Sequence, residues 1–232
     1  MGKIAHAILH RWLMNSAAAI RYELSDHYTY EFVEGAIPWR PCMFQCKVWE
    51  HPCSNHGTAN QNAVHSEAAT FTYCHPEQAD SFFRAIHDLE RFFQDEGPFD
   101  GVIGFSMGAS LAITWLQHKQ EELNMGDITS LPVNVVILFS ATYVYDYRVV
   151  EKGNPVGRDP SHASIQLNVP SVHIWGSQDP FKSLAQQGTE FFRPDKLSTY
   201  VHDRGHEIPS SMEEITHVVK AINRAIGAIS QV

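Results

Sequence analysis

Several things are missing from this 232-residue chain, and each absence narrows what it can be. No run of Lys or Arg is longer than a pair, and 26 acidic side chains outweigh 17 basic ones, giving a formal charge of -9. That balance excludes an electrostatic grip on nucleic acid or on an anionic membrane surface. No apolar stretch approaches the ~18 residues that a bilayer-spanning helix requires. The early apolar run Ala5-His6-Ala7-Ile8-Leu9 is cut by His10-Arg11 and is too short and polar for a signal peptide. The expectation is therefore a cytoplasmic protein with no membrane partner. Internal repeats and low-complexity tracts are also lacking. With 44% hydrophobic and 19% charged residues, the chain reads as one globular domain over residues 1–232.

Cysteine is scarce and clustered. Cys42, Cys46, Cys53 and Cys74 share one loop-like stretch with His51, His56 and His65. Zinc is the sharp possibility, but the spacing matches no standard zinc knuckle and no second CxxC closes the set. Free thiols and no metal are the expected reading.

What is present is alternation of short β runs with helical ones, the pattern of an α/β fold with a mostly parallel sheet and helices on both faces. The expected strands are Ile4–Leu9, Tyr28–Val33, Gly101–Phe105, Val133–Phe139, Ser171–Trp175 and Leu197–His202. A helix is expected from about Glu77 to Gln94, with Phe82, Ile86, Leu89 and Phe93 as its core stripe. Another is marked by Met212, Ile215, Val219, Ile222, Ile226 and Ile229, started by Ser210 or Ser211 with Glu213 and Glu214 three residues on. The stretch from about 35 to 75 has no convincing period and reads as an irregular loop. A second irregular stretch, 142–166, is the expected small cap.

The most informative motif is Gly104-Phe105-Ser106-Met107-Gly108, a G-x-S-x-G with a strand run before it and a helix run after it. A chain leaving a strand and entering a helix within a residue or two forces Ser106 into a strained turn that lifts its hydroxyl above the sheet edge. The helix start then offers the Met107 N–H and a positive dipole end to a developing oxyanion.

A serine nucleophile needs a base and a group to orient that base, and in α/β hydrolases these follow in the order Ser, acid, His. Asp179 leaves the Ser171–Trp175 run in the turn Gly176-Ser177-Gln178-Asp179-Pro180, and His206 follows the last strand, with Gly205 expected to permit a tight approach. Asp146 and Asp159 after the preceding strand are rival acids, and His202 and His217 are rival bases. His202 belongs to a strand end and His217 to a helix. Asp179 and His206 fit the loop positions, the order and the spacing together. The second oxyanion donor is expected from the loop His10-Arg11-Trp12-Leu13, at the N–H of Arg11 or Trp12. Trp12, Tyr143 and Tyr145, with Tyr147 and Trp175, are candidates for an aromatic acyl pocket; the alternating tyrosines read equally well as a strand continued.

The segment Phe99-Asp100-Gly101-Val102-Ile103-Gly104-Phe105-Ser106-Met107-Gly108-Ala109, the Gln178-Asp179-Pro180 turn and the Gly205-His206-Glu207-Ile208-Pro209 turn resemble the fungal FSH-type serine hydrolases. The likeness covers most of the chain from Cys74 onward. It implies a small α/β-hydrolase fold without a large lid domain, with Ser106 as nucleophile, Asp179 as acid and His206 as base. That group includes carboxylesterases and stand-alone thioesterases that free a product from a polyketide synthase carrier domain. The family opens with a strand and His-Gly-x-Gly; this chain departs from it with His10-Arg11-Trp12-Leu13.

The expectation is a serine hydrolase using no cofactor, acting on a small acyl substrate through an acyl-enzyme. Its first form is a thioesterase releasing a carrier-bound polyketide, with Arg148, Lys152 and Arg158 as a basic patch for an acidic carrier. The alternatives are a general carboxylesterase and a non-catalytic binding protein that keeps the fold.

Overall fold

The computed structural model describes residues 3–6, 18–24, 27–39, 70–75, 78–150, 160 and 166–229. Along the chain run β1 (Lys3–His6), α1 (Ala18–Glu23), β2 (Thr29–Phe32), β3 (Ile37–Trp39), β4 (Thr70–Thr72) and α2 (Ala79–Glu96). They are followed by β5 (Gly101–Phe105), α3 (Met107–Met125), β6 (Val135–Phe139), α4 (Tyr147–Val150), β7 (Ser171–Gly176), α5 (Lys182–Thr189), β8 (Leu197–His202) and α6 (Met212–Ile229). Six strands form one sheet in the order β2-β1-β5-β6-β7-β8, and every pairing in it is parallel. Parallel neighbours need crossover connections, which is why helices separate the strands in sequence.

The central strands are covered on both faces. Val135 to Phe139 and Ser171 to Gly176 are buried at every position, as their unbroken apolar runs require. α3 is buried on nearly all sides, from Gly108 to Gln117 and again at Lys119 and Gln120. Lys119 tolerates this because it pairs with Glu90 of α2 and with Glu122 one turn along α3; alone, its buried charge would be strongly destabilising. α2 is one-sided instead, with Phe82, Ile86 and Leu89 at most 2% exposed and Phe93 tilted against Trp115 at 4.5 Å. α6 opens with a reciprocal capping box. The Glu214 N–H donates to Ser211 Oγ at 3.3 Å, and the Ser211 N–H donates to Glu214 Oε2 at 3.1 Å. Ser211 rather than Ser210 therefore starts the helix.

Two expectations are corrected. The stretch from 35 to 75 is not wholly irregular, since β3 and β4 at its ends pair antiparallel, Ile37 opposite Thr72 and Trp39 opposite Thr70. Each is a three-residue strand whose partner lies more than thirty residues away, so neither carries a local period. Nor do the tyrosines after β6 continue that strand, which ends at Phe139. Tyr145 packs on Phe82 with ring centroids 4.3 Å apart, and Tyr147 stacks on His118 at 3.8 Å. Both turn back onto the α2–α3 layer. Among the described residues no helix is long and apolar enough to cross a membrane.

Candidate active site

The sheet order places β5 between β1 and β6, where the chain reverses its direction of winding, the position at which open parallel sheets gather ligands. Ser106 follows β5 directly and caps α3 with a left-handed backbone, φ 53° and ψ -122°. Its N–H donates to the carbonyl of Phe139 at the end of β6, 2.9 Å away, so the strained turn is bonded to the next strand. Gly104 makes the turn possible, because a Cβ there would lie 2.7 Å from both the N and Cα of Ala109. Strand and helix cross too closely for any side chain.

Three loops then converge on the Ser106 hydroxyl. Asp179 leaves β7, and its N–H folds back onto the Gly176 carbonyl at 3.1 Å. His206 leaves β8. Its Nε2 lies 2.8 Å from Ser106 Oγ and its Nδ1 lies 2.8 Å from Asp179 Oδ2, so serine, imidazole and carboxylate form one unbroken chain. A carboxylate can only accept, so Nδ1 carries the proton and Nε2 presents its lone pair to the serine hydroxyl. The second oxygen, Oδ1, accepts the Phe181 N–H at 2.8 Å. Burial alone would push the Asp179 carboxyl upward. The hydrogen bond and charge of His206, the Phe181 N–H and the nearby Ser140 hydroxyl outweigh it, holding the group below its usual range. The side chain of Asp179 is fully covered, whereas that of His206 is 24% exposed and open to a substrate.

The rival groups stand elsewhere. Asp146 is engaged by Arg148, which donates to its Oδ2 at 3.2 Å. Arg148, one of the cations suggested for a carrier, is the partner of that carboxylate, and its side chain is 56% exposed. His202 is buried at the end of β8, its Nδ1 accepting the Arg204 N–H at 3.3 Å, and His217 stacks on Tyr200 within α6. Asp159, Lys152 and Arg158 lie outside the described residues, as do Arg11, Trp12, Cys42, Cys46 and Cys53.

Met107 is the first residue of α3, where an N–H has no acceptor within the helix. Its side chain packs on the turn after β4: Sδ lies 3.1 Å from Thr72 Oγ1 and 3.5 Å from Cys74 Sγ. Burial pushes the Cys74 thiol up to about 12, so it stays protonated, a free and unreactive thiol. Of the pocket candidates, Tyr143 is 37% exposed and Tyr145 is half-buried against α2.

Two features escaped the sequence reading. Phe105 and Phe181 flank the His206 imidazole, with ring centroids 5.0 and 5.2 Å away. The tight glycine is Gly176 and not Gly205. A Cβ on Gly205 would meet nothing within 4 Å, whereas one on Gly176 would collide with the carbonyls of Arg204 and Gly205. The Asp179 loop and the His206 loop are joined here by Ser177 N–H to His202 O, 2.7 Å, and Gln178 N–H to Arg204 O, 3.0 Å. No local pattern announces a contact between segments more than twenty residues apart.

Residues 11–218 match the family described as serine hydrolase (FSH1). The chain is similar to Esterase FPY3 of Fusarium mangiferae, with 29% identity over 90% of this chain and 88% of that protein. It is also similar to Hydrolase FUB4 of Gibberella moniliformis, with 25% identity over 90% of this chain and 91% of that one. Among solved structures, MGS-MChE2, an α/β hydrolase enzyme from a lagoon-sediment metagenome, superposes with a TM-score of 0.54 at 12% identity. That superposition covers 97% of this chain and 90% of the other, and establishes the α/β-hydrolase fold.

Proposed function

Since this chain belongs to the serine hydrolase (FSH1) family, we propose that it cleaves an acyl ester or thioester through a covalent Ser106 acyl-enzyme. One observation carries the reading: the pair of 2.8 Å contacts that run from Ser106 Oγ through His206 to Asp179. In this mechanism His206 Nε2 takes the hydroxyl proton as Ser106 Oγ bonds to the substrate carbonyl carbon. The carbonyl oxygen becomes an oxyanion, facing the Met107 N–H at the positive end of α3. Asp179 keeps the imidazole in the competent tautomer and stabilises the imidazolium. As the tetrahedral centre collapses, His206 returns the proton to the leaving alcohol or thiol. Water then attacks the acyl-enzyme, gives its proton to the same nitrogen, and the acid departs with Ser106 restored. Hydroxyl, imidazole and carboxylate are the side-chain groups this sequence of steps calls on, with the Met107 N–H from the backbone.

The narrower reading is a thioesterase freeing a polyketide from a carrier domain in fungal secondary metabolism. It is supported by the family resemblance. The name of the Fusarium mangiferae relative, an esterase, supports an oxygen ester instead. Parallel assays with acyl-thioesters and nitrophenyl esters separate the two: strong ester turnover with no thioester turnover removes the carrier-bound substrate. A fluorophosphonate probe tests the shared chemistry. It labels the parent and not Ser106→Ala, and that variant loses several orders of magnitude in kcat. Absence of labelling in the parent would leave the third reading, a binding protein that keeps the fold.

A further inference from the structure

Among the described residues, two non-glycine positions have a left-handed backbone: Ser106 at φ 53° and Ser140 at φ 46°. The elbow explains the first. Ser140 is the residue that ends β6, its N–H donating to Ile174 O at 2.7 Å. It is 1% exposed, and its hydroxyl is shut off from solvent without a partner in hydrogen-bonding geometry. Left-handed strain and an orphaned hydroxyl each destabilise the fold. A glycine would remove both penalties at once, so the hydroxyl at this position calls for a reason.

The neighbours supply one. Phe139 pairs with Ile174, which sets Ser140 beside the end of β7, where the chain turns toward Asp179. The Ser140 hydroxyl is near enough to that carboxyl to help draw its pKa down. The same turn is tied to the nucleophile. Phe139 O accepts the Ser106 N–H, the Thr142 N–H donates to Ser110 Oγ at 2.9 Å, and Ser110 Oγ donates to Ser106 O at 3.2 Å. Serine and acid are thus registered to each other through one short segment.

We propose that Ser140 is a positioning residue whose hydroxyl turns onto the Asp179 carboxylate while His206 is neutral and lets go as the imidazolium forms. It would complete a carboxylate that otherwise accepts from His206 and from the Phe181 N–H. The inference rests on the acyl-enzyme reading above. A donor on the carboxylate spreads its charge. Without that donor Asp179 is more basic and holds the imidazole proton more firmly, so the acidic limb of the hydrolysis moves to higher pH. Among the described residues His202 also faces Asp179; burial lowers its pKa, and it in turn faces Glu214, Glu207 and Arg204. These groups are the same in parent and variant.

Ser140→Ala and Ser140→Gly are compared with the parent by pH profiles of kcat/KM on a nitrophenyl ester, by fluorophosphonate labelling rate against pH, and by melting temperature. Both variants are expected to move the acidic limb upward by about half a pH unit, roughly threefold in rate on that limb. KM stays close to the parent value, and the glycine variant melts no lower than the parent. A limb that stays in place in both variants overturns the proposal. So does a shift seen with alanine alone, which would trace to backbone strain. If the parent itself fails to label, the acyl-enzyme reading is what fails; if the parent labels and the limb does not move, only the role of Ser140 falls.

Discussion

Adding one methyl group at Gly176 tests how closely the Asp179 and His206 loops must approach. The new Cβ would lie 2.7 Å from the carbonyl carbon of Arg204, with the carbonyl oxygens of Arg204 and Gly205 nearer still. Ordinary carbon contacts begin near ~3.5 Å, so the loops must part by roughly 1 Å. The obstruction is backbone on both sides, which no rotamer change can relieve. Parting the loops stretches the Ser177 to His202 and Gln178 to Arg204 hydrogen bonds, each contributing about 1 kcal/mol. It also draws Asp179 from His206, and a 2.8 Å contact lengthened by that amount passes beyond hydrogen-bond range. Gly176→Ala should therefore lower kcat by about 10²-fold, with KM changed far less, and stability by about 2–4 kcal/mol in urea unfolding. Gly205→Ala is the control, since its Cβ meets open space; its kcat should stay within about twofold of the parent, as surface substitutions do. The reasoning is refuted if Gly176→Ala turns over ester at the parental rate, or if Gly205→Ala is equally harmful.

Three further outcomes are expected. His173 is wholly buried in β7, and burial brings its pKa down from 6.5 to about 3. Between those values the unfolded chain binds a proton that the native state refuses, so stability declines by about 1.4 kcal/mol per unit as pH falls below 6.5. Urea midpoints at pH 7 and pH 5 should show this loss, and His173→Gln should show less of it; equal slopes in the two proteins would rule it out. Ser211→Ala removes the α6 cap and should lower stability by about 1 kcal/mol, while Ser210→Ala stays within about 0.5 kcal/mol. Equal effects would mean the capping box contributes nothing. Finally, Ser106→Ala should retain the parental melting temperature while losing turnover, which separates chemistry from folding.

The parallel α/β plan was legible in the sequence because its evidence is local. Gly101–Phe105 and Leu197–His202 agree with the structure at both ends, and the α2 stripe of Phe82, Ile86 and Leu89 points inward as its spacing requires. That Ser106, Asp179 and His206 would meet was legible for a related reason. Each sits a few residues beyond the end of a strand, and strand ends in a parallel sheet share one edge. The β3–β4 pair and the inward turn of Tyr145 left no comparable mark, since both depend on contacts across more than thirty residues.

The amino-acid order by itself determined which side chains could do the chemistry and on which edge of the sheet they would stand. Only the tertiary structure decided how near they come. It made Gly176 the indispensable small residue where Gly205 was expected, set two phenylalanine rings beside His206, and left the Ser140 hydroxyl buried next to Asp179. Periodicity and spacing act over a few residues, whereas the gap between two loops is set by everything packed beneath them.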